Sequence, residues 1–228
     1  MTLNRRAKWI IAAVVALVVL VIVGPYVYIH YIQDQAPPPL AKSGPSTPAA
    51  ANGEVARSID GTWKPTAASI VGYRVKETLF GQAAEAVGRT SKVTGELVAA
   101  GTTVSSATFT VDMASVASDK GQRDEQFSGR IMDVAQFPTA TFKLTAPIPL
   151  NAVPTEQPTS VKAAGELTLH GVTKPVLVDL TVTRSGVTFL VGGTLNIVFA
   201  DWNVDNPSFG PAQTQDHGLL EWALVFAK

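Results

Sequence analysis

Seven stretches of the chain alternate apolar and polar residues with period two, and an eighth does so more weakly. Val71, Tyr73 and Val75 alternate with Gly72, Arg74 and Lys76. Ala107, Phe109, Val111 and Met113 alternate with Thr108, Thr110 and Asp112, and Ala140, Phe142 and Leu144 with Thr141, Lys143 and Thr145. The pattern recurs over Val161–Leu169, Val176–Val182, Val187–Phe199 and Leu220–Phe226, and weakly over Lys92–Val98. Period two places successive side chains on opposite faces of a strand, so each run predicts a β-strand with one apolar and one solvated face. Arg184-Ser185-Gly186 and His170-Gly171-Val172-Thr173-Lys174-Pro175 supply turn residues between runs and predict hairpins. About eight antiparallel strands suit a sandwich or a barrel, and at that size a barrel interior either fills with side chains or holds one small ligand.

Two segments break the alternation. Ser118 to Phe127 is polar and predicts a short helix, capped by Ser118 or Asp119 and packing through Phe127, Ile131 and Val134. Phe137-Pro138 then returns the chain to an extended conformation. Ala200 to Pro211 reads as a long loop between the last two strands. Excursions of this length commonly fold over the ends of a barrel, where ligand pockets open.

The N-terminus follows a different pattern. Trp9 to Ile32 carries no charged residue and consists mostly of Val, Ile, Leu and Ala, after a tip bearing Arg5, Arg6 and Lys8. Such a run spans about 36 Å as a helix, enough for a bilayer core. It is longer than the apolar region of a cleaved signal peptide and leads into bulky Tyr-Ile-His-Tyr, so an uncleaved anchor is expected. The basic tip places the N-terminus in the cytoplasm and the rest outside. The expected organisation is a cytoplasmic tip (1–8), a transmembrane anchor (9–32), a Pro/Ala-rich tether (33–56) and a β-domain (57–228).

Composition narrows the chemistry. With 18 basic and 18 acidic residues the chain has no net charge, which argues against nucleic acid. There is no cysteine, which excludes disulfides, thiolate metal sites and a cysteine nucleophile. Asp119, Asp124, Glu125 and Asp133 cluster around Lys120, Arg123 and Arg130, a pattern that solvated ion pairs explain without an acid–base pair. Beyond the anchor, His170 and His217 lack metal-ligand spacing, and no serine sits in a nucleophile motif. Gly192-Gly193 reads as a bulge or bend in a strand. No enzyme, catalytic residue, metal or cofactor is expected.

Arg123-Asp124-Glu125-Gln126-Phe127, then Asp133-Val134-Ala135-Gln136-Phe137-Pro138 running to Phe142, and finally Gly165-Glu166-Leu167-Thr168-Leu169-His170-Gly171-Val172-Thr173-Lys174-Pro175-Val176, resemble motifs of the YceI-like family in residue type, order and spacing. Gln126 stands where that family carries His, Phe127 replaces Leu, and the arginine many members carry before the position of Trp202 is missing. The resemblance implies an all-β, lipocalin-like antiparallel barrel of about eight strands with a short helix, here preceded by one transmembrane helix. It also implies a polyisoprenoid or similar amphiphilic lipid in the lumen and an extracytoplasmic setting. Given that implication, the expected lining is Val71, Tyr73, Phe109, Met113, Phe142, Leu167, Leu169, Phe189, Leu195 and Trp222, the same residues that would otherwise fill a dry core. Arg123 and Arg130 either meet a polar head group at the mouth or form surface ion pairs with Asp119, Asp124 or Asp133. The competing reading is a tethered β-domain with a packed core that recognises a protein or envelope component; no protein partner is identified.

Overall fold

The computed structural model describes residues 4–27, 36–40 and 58–228. Every strand partner is antiparallel, and the strands close on themselves. In chain order they are β1 (Gly61–Pro65), β2 (Ile70–Leu79), β3 (Gln82–Thr90), β4 (Val93–Ala100), β5 (Thr103–Asp112), β6 (Thr139–Leu144), β7 (Ile148–Pro149), β8 (Thr159–Leu169), β9 (Val172–Ser185), β10 (Thr188–Val198), β11 (Ala212–Thr214) and β12 (His217–Ala227).

These twelve segments make an eight-membered ring, because two ring members are broken strands. β1 and β2 both pair with β12, β1 at Pro65↔Phe226 and β2 from Ala223↔Ile70 to Leu219↔Arg74. At the corner between them the buried Ser69 stands in for the ladder: its Oγ donates to the Val225 carbonyl (3.2 Å) and accepts from the Val225 N–H (3.0 Å). β3 pairs β2 and β4 pairs β1, so Gln82–Ala100 forms the second broken member. From there β5, β6, β8, β9, β10 and β12 follow in chain order, an up-and-down barrel whose neighbours in sequence are neighbours in space. Closure gives each ring member a neighbour on both sides, although β3 itself pairs only with β2 and meets a single bridge, Arg89↔Ala117, on its other edge.

Each of the eight alternating runs centres on a ring member and overruns it by at most a residue at an end, and the missed pieces are short or poorly alternating: β1, β3, and the two-to-three-residue β7 and β11. β3 (Gln-Ala-Ala-Glu-Ala-Val-Gly-Arg-Thr) offers small residues in place of large apolar ones, so its period was invisible. The His170-Gly171 hairpin is tighter than expected. Both residues have positive φ (48° and 74°), as a two-residue primed turn requires, and Val172–Pro175 already belong to β9. Gly192-Gly193 is not a bulge: β10 keeps unbroken register with β12 across it, and the irregularity lies between Val98 and Ala99 instead.

The short helix α2 spans Gly121–Gln126, and Lys120 occupies its N-cap without a side-chain bond, in place of Ser118 or Asp119. Asp124 reaches back, accepting from the Ser118 N–H (2.8 Å) and Oγ (2.6 Å), which ties the helix to the strand before it. A widened turn over Phe127–Ile131 follows. Phe127 and Val134 are buried as anticipated, whereas Met132, not Ile131, takes the third buried position.

α1 (Arg5–Val27) is 23 residues long, with exposed Trp9, Leu17, Leu20 and Val21. Among the described residues no helix is long and apolar enough to cross a membrane. The apolar run read from the sequence continues to Ile32, and residues 28–32 lie outside the described ones, as do most of the tether and Tyr28, His30 and Tyr31.

Candidate functional site: an apolar cavity along the barrel

The inward faces of the ring do not meet. They enclose a cavity of about 770 Å³ running from buried Ile59, Trp63, Leu150 and Phe189 at one end to α2 and the 203–211 loop at the other. All ten residues of the expected lining stand on its wall. Val71, Met113, Leu167 and Phe189 are buried, while Tyr73, Phe109, Phe142, Leu169, Leu195 and Trp222 are only partly so, because their inner surfaces face the cavity.

Glycines set the width of this cavity. Trp222 of β12 lies across Gly193 of β10, where an added Cβ would come within 2.4 Å of the indole. Tyr73 lies over Gly88 (2.3 Å) and Phe142 over Gly165 (2.4 Å) in the same way. A large ring folded flat over a missing side chain covers the wall without crossing the lumen. A β-branched residue at any of these glycines would drive the ring inward.

The end near Phe189 is sealed. Trp63 and Phe189 meet edge to face with centroids 4.6 Å apart, and Lys228 Nζ sits 5.0 Å from the centre of the Trp63 ring. The other end is polar and reaches the surface: Phe209 both lines the cavity and is 55% exposed. Glu77, Asp119, Lys120 and Arg123 line the cavity at this mouth. Arg123 pairs with Asp119, four residues back and just ahead of α2, and lies 3.7 Å from Glu77. Burial raises the Glu77 carboxyl above its ordinary pKa, Arg123 opposes that shift and Asp119 adds to it. Tyr73 stacks on Phe127 (5.1 Å, 13° between rings), and desolvation pushes its phenol well above the ordinary value.

The two candidate head-group arginines part here. Arg123 lines the mouth, whereas Arg130 lies outside the lining, donating to the Pro207 carbonyl (3.2 Å) with its guanidinium 5.9 Å from the Phe209 ring centre. His170 Nδ1 contacts the Trp202 carbonyl at 3.3 Å and His217 Nδ1 contacts Asp216 Oδ1 at 2.7 Å, so the two imidazoles serve separate loops. Among the described residues no three metal-ligating side chains converge.

A second polar assembly, on the outer wall, escaped the sequence reading. Glu221, fully buried, points away from the lumen. It accepts from Arg89 Nη2 (3.0 Å) and Arg74 Nε (3.4 Å), while Arg74 also donates to Glu85 (2.6 Å). Residues 36–40, within the expected Pro/Ala-rich tether, lie over it. Arg74 Nη2 donates to the Pro37 carbonyl (2.6 Å), Arg89 Nη2 to the Pro38 carbonyl (2.5 Å), and Leu40 is buried. Strand parity puts Arg74 and Glu221 outward, but nothing in the sequence shows that a distant proline-rich segment covers them.

A closed up-and-down barrel around an elongated apolar cavity, polar at one mouth and sealed at the other, defines the class of single-lumen β-barrels. Within that class the assignment is specific: residues 63–226 match the YceI-like domain, and the chain belongs to that family. It is similar to a polyisoprenoid-binding domain from Saccharophagus degradans, with 18% identity, 73% of this chain and 97% of that one covered, and a TM-score of 0.58. It is likewise similar to BcnA of Burkholderia cenocepacia, at 23% identity, coverage of 71% and 98%, and a TM-score of 0.54. At these identities the likeness shows the fold. A UPF0312 protein of Pseudomonas savastanoi pv. phaseolicola is 32% identical over 111 residues, 45% of this chain and 54% of the relative, so the match spans about half of that curated protein.

Proposed function

We propose that this protein is a membrane-anchored, extracytoplasmic lipid-binding barrel that holds a polyisoprenoid-like amphiphile in its lumen. The apolar cavity of about 770 Å³ carries the reading. Its volume lies within the roughly 300–1,000 Å³ of sites that bury small organic ligands. A flexible apolar chain needs a lined tube and no charge along it. Burial gains about 0.8 kcal/mol per methylene, on the order of 12 kcal/mol gross for fifteen carbons, before ordering and association costs are subtracted. The Saccharophagus degradans domain, of the same fold, is described as polyisoprenoid-binding, which supports the ligand class. Arg123 and Lys120 are the cations at the mouth placed to meet a polar head, and Asp119 and Glu77 already partner Arg123. The charge-free run after Arg5, Arg6 and Lys8 supports the anchor and its orientation. A packed interaction module, by contrast, would need a filled interior, and the cavity argues against it.

Native mass spectrometry of the full chain in mild detergent, before and after organic extraction, tests the ligand. A mass decrement matching an extracted polyprenyl lipid is expected, together with rebinding of added farnesol. A chain that carries no lipid and takes up no farnesol overturns the reading.

A further inference from the structure

Three features converge at the mouth. The first is a pair of exposed aromatics: among the described barrel residues, Phe80 (56%) and Phe209 (55%) are the exposed aromatic side chains. Both lie at the mouth end: Leu79, next to Phe80, lines the cavity and pairs with Ala212, and a bridge joins Ala212 to Phe209, which also lines the cavity. Two solvent-facing phenylalanines at the entrance of an apolar cavity extend its apolar surface outward, as at an interaction site.

The second is backbone strain. Phe80 sits at φ 50° in the two-residue turn between β2 and β3, ahead of Gly81 at φ 80°. Such turns favour Asn or Asp at this position, and a bulky residue there is costly. Strain of this kind concentrates where a side chain is needed for a task.

The third is the latch formed by Pro37–Leu40. Ala36 and Pro37 lie in a small cleft with Glu85, Ser118 and Asp119, and Asp119 also lines the mouth. The chain therefore reaches the outer wall on the mouth side. Eight residues separate Val27, where α1 ends, from Ala36. Fully extended, that distance is at most about 30 Å. Residues 36–40 are thus fixed to the barrel on its mouth side, and the end of α1 lies within that reach of the latch.

We infer that the Pro37–Leu40 latch and the Phe80/Phe209 pair together seat the barrel mouth-first on the lipid bilayer that α1 enters. The inference rests on the anchored reading above and adds an orientation to it. The partner surface is the bilayer interface, where Phe side chains partition readily. The mouth carries Glu77 and Asp119 beside Lys120 and Arg123, so the seating depends on apolar contact and not on anionic lipid. Mouth-down seating lets an amphiphile pass from the bilayer into the lumen with little of its tail crossing water.

The chain has no native cysteine, so single-cysteine variants label cleanly. Full-length protein in phosphatidylcholine vesicles would carry an environment-sensitive nitrobenzoxadiazole dye at Gln82→Cys, beside the mouth, or at Glu156→Cys, near the sealed end. The expected result is a blue-shifted dye at 82 that nitroxide lipids quench, and an aqueous, unquenched dye at 156. Phe80→Ser with Phe209→Ser should remove at least half of the quenching at 82 while the protein still floats with the vesicles. Replacing Pro37, Pro38 and Leu40 by Gly, Gly and Ser should bring the two dyes towards the same, weaker quenching. Protein that floats but shows equal quenching at 82 and 156 overturns the seating alone. Protein that fails to float overturns the anchored reading and the seating with it.

Discussion

Trp222 and Gly193, directly paired across β10 and β12, share a single side chain's worth of space: the indole occupies the volume a Cβ on residue 193 would need. The partnership keeps this indole flat against the wall. Gly193→Val should push Trp222 into the lumen, cost about 1–3 kcal/mol by overpacking, and abolish farnesol uptake. Chemical denaturation and native mass spectrometry read the two effects. Unchanged uptake would show that Trp222 does not control the bore.

Filling the lumen should separate ligand binding from folding. Leu195 lines the cavity and is only partly buried, so Leu195→Trp has empty space to enter. A folded barrel by circular dichroism with farnesol uptake reduced at least tenfold is expected. Full uptake with a folded barrel would place the ligand elsewhere.

Glu221 should be intolerant of losing its partners. It is wholly buried on the outer wall and balanced by Arg74 and Arg89. Arg74→Ala leaves that carboxylate poorly compensated and should cost on the order of 3–5 kcal/mol. As a contrast, the exposed Lys162–Asp179 pair (2.5 Å) should contribute little, within about 0.5 kcal/mol on Lys162→Ala. Urea denaturation midpoints at constant slope decide both, and equal effects would refute the ranking.

Glu77 gives stability a pH dependence of known sign. Its pKa is raised in the folded state, chiefly by burial. The native chain therefore holds a proton that the unfolded chain releases, and stability falls as pH rises from the ordinary carboxylate value through the folded one. Glu77→Gln should flatten that part of the melting-temperature profile and leave Asp119 as the partner of Arg123. Parallel profiles for the two proteins would contradict it.

Tyr73 follows the same logic in the alkaline range. Desolvation raises its phenol, so it should stay protonated at a pH where exposed tyrosines ionise. Tyr73→Phe should leave the tyrosinate absorbance at pH 11 unchanged in the folded protein. A loss of one residue's absorbance would mean the phenol is open to water.

Much of this was legible in the chain because local physics wrote it there. Runs such as Val161–Leu169 and Leu220–Phe226 alternate because one face of each strand meets the interior, and that rule alone assigned the ten lining residues to one face. β3 escaped because Ala84, Ala86 and Gly88 leave room for neighbours such as Tyr73 and so carry no large apolar period.

The tertiary structure decided what depends on distance in sequence. An interior filled with side chains and one holding a cavity require the same alternation; what separates them is whether rings such as Trp222 and Phe142 find glycines to lie over, which is a matter of register. Arg123 and Arg130 are equivalent in the sequence, yet only Arg123 lines the mouth, because the widened turn after α2 carries Arg130 towards Pro207. Arg74 and Glu221 are 147 residues apart. Their burial under Pro37 and Leu40 arises from a proline-rich segment folding back onto the wall, an event with no local signature because its hydrogen bonds join side chains to a backbone that any sequence possesses.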